Sequence, residues 1–156
     1  MAQSRFEIQY DKQVPAILGE LGASLLISTY QASRIVFITA FKDELIQVPA
    51  TFKKPMGIAI NQRRMAVSSF DRIDIFANSP ELASLYPEKP NTFDALFLPR
   101  ATYYCGETDL HDISFGKKGL WAVNTRYSCL STFDIDHNFR IRWKPPFITE
   151  TTPEDR

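Results

Sequence analysis

The sequence lacks the long apolar runs and the ligand motifs that would place it in several large classes of protein. A membrane-spanning helix needs roughly 20 apolar residues, and no stretch approaches that length. The chain has 2 cysteines and 2 histidines, with no paired-cysteine zinc spacing and no glycine-rich phosphate or dinucleotide loop. The N-terminus has no basic segment followed by an apolar core, so we expect no signal peptide.

The charges are balanced and scattered, with 18 basic and 18 acidic residues. Because no basic run or patch is evident, we expect no nucleic-acid partner, and we expect no membrane partner either. Cys105 and Cys129 stand alone, and we expect two buried free thiols, with a disulfide or a metal site as the alternatives. Together these features favour a cytoplasmic protein.

Short apolar runs bounded by turn residues predict an all-β fold. Gaps of hairpin length separate them, which leaves no room for the helical crossovers of a parallel sheet. One short N-terminal helix is predicted over residues 14–20, with Pro15 near its start and Gly22 after its end, and a further strand is expected over 6–10. The predicted strands are 24–30, 34–40, 44–48, 57–61, 65–70, 73–77, 94–98, 110–115, 120–125, 129–134 and 139–143.

An internal repeat refines this prediction. The stretches around Ser28, Ser68 and Asn124 share an order of aliphatic, branched, small polar and hydroxyl residues, and we align these three positions. The first two lie 40 residues apart and the second two 56, and we attribute the difference to a surface insertion over 78–91. A repeat of about 40 residues with four short antiparallel strands is typical of a β-propeller blade.

The repeat predicts one incomplete β-propeller domain over residues 1–156, with about three four-stranded blades at 23–50, 55–99 and 109–147. Such sheets are apolar on both faces, so neighbouring blades must cover them. A β-sandwich is the alternative. Natural rings have four to eight blades, so we expect either a truncated chain or self-association through the open blade faces, for example two copies completing six blades.

Several motifs together resemble one family of proteins. They lie at 21–32, 55–59, 98–100, 109–113, 121–125, 128–130 and 143–148. The chain is similar to an uncharacterised, conserved bacterial family, a domain of unknown function in the β-propeller group, distantly similar to NHL-repeat and gluconolactonase-like propellers. Members of this family look about twice as long, so the resemblance implies that only the N-terminal part is present. Some of the distant relatives hold a divalent metal in the central channel.

The most polar departure from the repeat is the pair His111 and Asp112, which we align with Met56 and Gly57. Polar groups at the start of an innermost strand would face the channel of a propeller, and Glu107 and Asp109 lie nearby. Imidazole and carboxylate groups can bind a metal or transfer protons. The alternative is that this pair only hydrogen-bonds loops between blades.

Three further positions are candidate ligand-binding residues. Asn124 takes the place that our alignment gives to Ser28 and Ser68, so its amide could bind a ligand or a metal, or could simply satisfy nearby backbone. Arg126 and Arg100 could bind an anion or form ion pairs. Residues 134–138 begin like a calcium loop, but Phe139 replaces the required glycine, which favours a hairpin turn.

These residues favour a non-enzymatic propeller that binds an unknown small molecule or protein and needs no cofactor. The alternative is a metal-dependent hydrolase of the lactonase type, with a divalent cation such as calcium held by His111, Asp112 and Asn124 in the channel. The sequence leaves open whether the protein is an enzyme.

Overall fold

The computed structural model describes residues 8–117 and 119–148, and these form eleven strands and two short helices. No helix in this part of the chain is long and apolar enough to cross a membrane. The elements are, in order, α1 (Val14–Leu21), β1 (Leu25–Thr29), β2 (Arg34–Phe41), β3 (Glu44–Thr51), β4 (Ile58–Asn61), β5 (Arg64–Ser68), β6 (Arg72–Asn78), α2 (Pro80–Ala83), β7 (Phe97–Tyr104), β8 (Leu110–Gly116), β9 (Gly119–Asn124), β10 (Cys129–Phe133) and β11 (Arg140–Trp143).

The strands form three separate antiparallel sheets, each made from consecutive strands. Sheet 1 contains β1–β3, sheet 2 contains β4–β7 and sheet 3 contains β8–β11. Sheets 2 and 3 have the four strands that the sequence predicts. The prediction is wrong for sheet 1, because the described residues give it only three strands.

Helix α1 begins at the predicted residue and ends one residue after the predicted end. Pro15 is buried in its first turn, and Gly22 ends it in the left-handed conformation with φ of 57°, which glycine adopts without steric cost. Buried Leu18 packs against Val36 and Ile38 of β2. The helix therefore covers the face of sheet 1 that points away from sheet 2.

The sequence places most strands within two residues of their observed ends, and β7 is the main error. We expected a strand over 94–98, whereas β7 begins at Phe97 and continues to Tyr104. The strand is exposed, contains Pro99, and pairs with β6 through a register shift between Ile75 and Phe76. A shifted register interrupts the alternation of apolar and polar residues, so the pattern did not indicate this strand. The additional strand expected over 6–10 is not formed by residues 8–10, and residues 6 and 7 lie outside the described part.

Sheet 2 lies between the other two sheets and is buried on both faces. Met65 and Val67 pack with Ile35 of sheet 1, whereas Ala66 and Ile73 pack with residues of sheet 3. For each sheet we call the side toward the preceding sheet its rear face and the side toward the following sheet its forward face. Ile58 belongs to the rear face and Ala59 to the forward face. Three successive layers are not the two facing sheets of a sandwich.

The β4–β5 and β8–β9 hairpins correct our alignment of the repeat. Asn61 faces Arg64 in one hairpin and Gly116 faces Gly119 in the other. Counted from these turns, Ala122 corresponds to Val67, and each packs toward the preceding sheet.

By the same count, Val123 corresponds to Ser68 and Asn124 corresponds to Ser69. The alignment of Asn124 with Ser28 and Ser68 is therefore wrong by one residue. Similar side chains matched in sequence, whereas the hairpin register decides which face each of them occupies.

Strand β4 lies so close to β8 that the contact requires glycine. A Cβ at Gly57 would lie 2.8 Å from the nitrogen of Ile113 and 2.9 Å from the Cα of Asp112. Both are backbone atoms, which cannot rotate away. The absence of a side chain at Gly57 thus sets the separation between sheets 2 and 3.

We predict that Gly57→Ala lowers the free energy of unfolding by about 1–3 kcal/mol, because the added methyl group overpacks this contact. Gly19→Ala is the matched control, since a Cβ at Gly19 meets nothing within 4 Å. Within α1 that change should raise stability by about 0.5–1 kcal/mol. Urea unfolding followed by circular dichroism measures both. Equal stability of Gly57→Ala and the parent chain would contradict the contact.

Candidate functional site

Two loops meet at one end of sheet 3 and gather most of the candidate residues. Thr125 donates to the carbonyl oxygen of Asp109 twice, from Oγ1 at 2.7 Å and from its backbone nitrogen at 3.3 Å. The backbone nitrogen of Arg126 donates to the carbonyl oxygen of Thr108 at 3.4 Å. These bonds tie the β7–β8 loop to the β9–β10 loop, which brings the side chains of Glu107, Asp109 and Arg126 to the same end of the sheet.

The polar side chains of this end lie in two close pairs. Arg126 Nη1 lies 3.1 Å from Glu107 Oε2, and His111 Nε2 lies 3.7 Å from Asp109 Oδ2. About half of the His111 side chain is exposed to solvent. Ion pairs in such positions contribute at most about 1 kcal/mol, because water and salt screen them. The arrangement orders two loops and leaves the imidazole accessible.

Asp112 and Asn124 lie on opposite faces of sheet 3. Asp112 pairs in register with Val123, which is on the forward face, whereas Asn124 pairs with Leu110. His111 lies in the irregularity between these two pairs. Asp112 Oδ1 accepts a hydrogen bond from the backbone nitrogen of Ile113 at 2.8 Å. The structure therefore does not bring Asp112 and Asn124 to one side of the sheet, and the divalent-metal site stays a prediction.

Asn124 is fully buried and only half satisfied. Its Oδ1 accepts from the backbone nitrogen of Tyr127 at 3.3 Å, while its Nδ2 has no partner among the described residues. Ser69, its counterpart in sheet 2, likewise has a buried hydroxyl group without a partner in that part of the chain. The shared position thus holds a short polar side chain at the end of the second strand, which favours a structural role for Asn124.

Arg100 stands apart from the other candidates. It lies on the edge strand β7 and is exposed. No ion pair involving Arg100 is found in the described ranges of the chain. The structure does not place it with Arg126 and therefore provides no common anion site for the two arginines.

Both thiols are buried and free, as the sequence predicts. Burial raises the pKa of Cys105, whose Sγ lies 3.4 Å from Thr108 Oγ1, and burial also raises the pKa of Cys129. A thiol with a raised pKa is mostly protonated at neutral pH and reacts slowly. These cysteines are packing residues rather than nucleophiles.

The turn between β10 and β11 contains a cluster of metal-ligand residue types, in the segment that begins like a calcium loop but for which the sequence favours a hairpin turn. Ligand atoms of Asp134, Asp136 and His137 lie within 4.8 Å of one another. The hydrogen bond from His137 to Asp134, 2.9 Å long, lowers the pKa of that carboxyl group. Arg140 Nε already lies 3.4 Å from Asp134 Oδ2 and balances its charge.

A shallow groove of about 460 Å³ lies between this turn and strand β7. Its lining residues are Ala101, Thr102, Tyr103, Tyr104 and residues 134–138. The sequence analysis did not place β7 correctly and so could not find the groove.

Serine hydroxyl groups link each of the first two sheets to the next. Ser28 Oγ donates to the carbonyl oxygen of Met56 at 2.7 Å, and Ser68 Oγ donates to that of Leu110 at 3.0 Å. Ser68 Oγ also accepts from the backbone nitrogen of Gly57 at 2.8 Å. The equivalent residue of sheet 3 is Val123, which cannot make this bond. Sequence reasoning aligned the two serines with each other but missed what they do.

We predict that Ser68→Ala lowers the free energy of unfolding by about 1–3 kcal/mol, because it leaves the buried backbone groups of Gly57 and Leu110 without their partner. Ser69→Ala makes the same chemical change one residue away, where the hydroxyl group has no partner. Its effect should stay within about 0.5 kcal/mol or be stabilising. Denaturant titration of both variants measures the difference. Equal losses in the two variants would show that the hydroxyl contacts of Ser68 contribute nothing.

Comparison with known sequences and structures identifies a family without an assigned activity. No curated protein matches the chain, and no solved structure matches it. The family described as a domain of unknown function, DUF4915, matches residues 12–156. This range includes all three sheets and the two-loop end of sheet 3, so the chain belongs to the family of domains of unknown function called DUF4915.

Proposed function

We propose that the chain is part of a β-propeller and acts as a non-enzymatic protein-binding module. The three sheets are its consecutive blades, and the forward face of the last blade is the binding surface. The protein partner is a second copy of this chain, which binds at this surface. The observation that carries this proposal is the exposure of large apolar side chains on a face whose equivalent in sheet 2 is buried.

The succession of sheets supports the blade assignment. Sheets 2 and 3 are four-stranded with the strands in chain order, and each packs its rear face against the forward face of the preceding sheet. The serine bonds from sheet 1 to Met56 and from sheet 2 to Leu110 repeat with the sheets. A sheet with two apolar faces is stable only if both are covered, which a radial arrangement of blades achieves.

The forward face of sheet 3 has no covering sheet among the described residues. Val123 is 39% exposed, Leu130 36% and Trp143 52%. Trp143 pairs in register with Leu130, and Leu130 with Val123, so the three side chains form one row across β9, β10 and β11. A contiguous apolar row on a sheet face is typical of an interaction surface.

A second copy of this chain suits the row for two reasons. Apolar sheet faces already pack directly on one another in this molecule, and α1 covers the rear face of sheet 1, so the forward face of sheet 3 in another copy is the matching open surface. A surface that meets itself around a twofold axis also needs only to be self-complementary. The formal net charge of zero produces no long-range repulsion between copies.

The two buried free thiols also support a cytoplasmic location for the module. Cysteines remain reduced in the cytosol, whereas secreted proteins tend to pair theirs.

We predict that the chain forms a dimer at micromolar concentration and that Val123→Lys makes it monomeric. A lysine at this position would put a charge at one end of the apolar row, where dimerisation would remove it from water. Sedimentation velocity measures the change in mass, and circular dichroism reports whether the fold is retained.

Ile141→Lys is the matched control. Ile141 is on the same sheet and is similarly exposed, but its register partner Ser131 belongs to the rear face. This variant should remain dimeric. A monomeric parent chain, or loss of the dimer in the control as well, would overturn the assignment of the surface.

A further inference from the structure

We infer a second binding site, at the free edge of β1. It accepts an extended segment of a partner polypeptide in which glycine or alanine alternates with branched aliphatic residues. The segment adds to sheet 1 as its fourth strand, antiparallel to β1. This site is distinct from the forward face of sheet 3 and does not depend on how that face is covered.

The correspondence between sheets identifies which strand sheet 1 lacks. Ser28 of β1 and Ser68 of β5 make the same hydrogen bond to the first strand region of the following sheet. Strand β1 therefore corresponds to the second strand of sheet 2. The strand that corresponds to β4 and β8 is the one that the described residues do not provide to sheet 1.

The backbone of β1 presents its hydrogen-bonding groups to this vacant position. In sheet 2 the nitrogen of Ser68 donates to the carbonyl oxygen of Gly57, the residue just before β4, at 2.9 Å. Alternate residues of an antiparallel strand point their N–H and C=O groups to the same neighbour. By this correspondence the backbone groups of Ser28 and Leu26 point to the free edge. Unpaired strand edges of this kind bind additional strands readily.

Strand β4 forms an apolar side wall for the same position. Strand β8 of sheet 3 packs on the forward face of β4. The corresponding strand of sheet 1 would pack on the rear face of β4 in the same way. Ile60 of that face is 57% exposed, whereas its counterpart Phe115 is partly covered by Arg64, whose guanidinium lies 5.0 Å from the ring centre. Sheets 2 and 3 contact each other through their first strands, β4 and β8. Ile60 is exposed because sheet 1 has no such strand among the described residues.

The close approach of β4 to β8 specifies the chemistry of the added strand. Ala59 of β4 and Gly57, just before β4, point toward sheet 3, and the space leaves no room for a Cβ at Gly57. A strand packed in the same way on β4 must place glycine or alanine toward Ile58 and Ile60. Its alternate residues point to the other side, where branched side chains fit.

Helix α1 leaves the site open. It packs on β2 and β3, and Leu25 and Ile27 of β1 stay 48% and 41% exposed. An incoming strand therefore meets an exposed edge and an exposed side wall.

The test uses the synthetic peptide Pro-Met-Gly-Ile-Ala-Ile-Asn, which copies residues 55–61, added to the intact chain. We expect saturable binding by fluorescence anisotropy. We also expect slower amide hydrogen exchange at Leu26 and Ser28, with no change at Val123. A peptide with valine in place of its glycine and alanine should bind at least roughly tenfold more weakly, because it would direct a branched side chain toward β4 in every register.

Ile60→Lys should weaken binding of the peptide by roughly tenfold or more while leaving the fold intact, because Ile60 is exposed in the free chain. Ile141→Lys, remote on sheet 3, should bind the peptide as the parent does. The site is overturned by no change in exchange at Leu26 and Ser28, by protection at Ala66 and Ser68 through exchange with β4, or by equal binding of the two peptides. If the chain binds the peptide but forms no dimer, the proposed surface on sheet 3 is wrong and the site at β1 is retained.

Discussion

The close contact between β4 and β8 is the constraint on which the arrangement of the sheets depends. Gly57 lets two backbones approach within a distance that no other residue allows, and Ser68 bonds to both strands at the same point. One small residue and one hydroxyl group thus set the distance between sheets 2 and 3 and their alignment along the strands. The larger side chains then fill the space farther along the strands, where Ile73 and Phe133 belong to the same apolar cluster.

The sequence predicted the local structure well where the apolar pattern reports burial directly. Helix α1 and most strands have alternating apolar residues and clear turn signals, so their positions follow from periodicity. The position of β7 does not follow from periodicity. This exposed edge strand contains Pro99 and a register shift, and it has no continuous buried side that would produce an alternating pattern. The four-stranded expectation for sheet 1 failed for another reason. Repeats in sequence indicate equivalent strands, but they do not show whether each strand has its neighbour.

The candidate site illustrates what spacing alone can and cannot predict. Glu107, Asp109 and His111 do gather at one end of sheet 3, because a loop and the strand after it cannot separate by much. Asp112 and Asn124 were expected to act together, yet they are on opposite faces, because the β8–β9 hairpin pairs Asp112 with Val123, the residue before Asn124. An error of one position moves a side chain through the sheet. No motif in the sequence states the register of this hairpin, so the face of a polar residue has to come from the structure.

The two open surfaces arise at opposite ends of one stack for different physical reasons. The forward face of sheet 3 is a completed sheet with apolar side chains toward water, and only another face can cover it. The edge of β1 has no neighbouring strand among the residues that the structure describes, so backbone groups define it, and backbone pairing favours an extended chain of almost any sequence. Selectivity at that edge must therefore come from the wall formed by Ile58 and Ile60. The close packing that determines the spacing of sheets 2 and 3 would thereby determine which segments sheet 1 accepts.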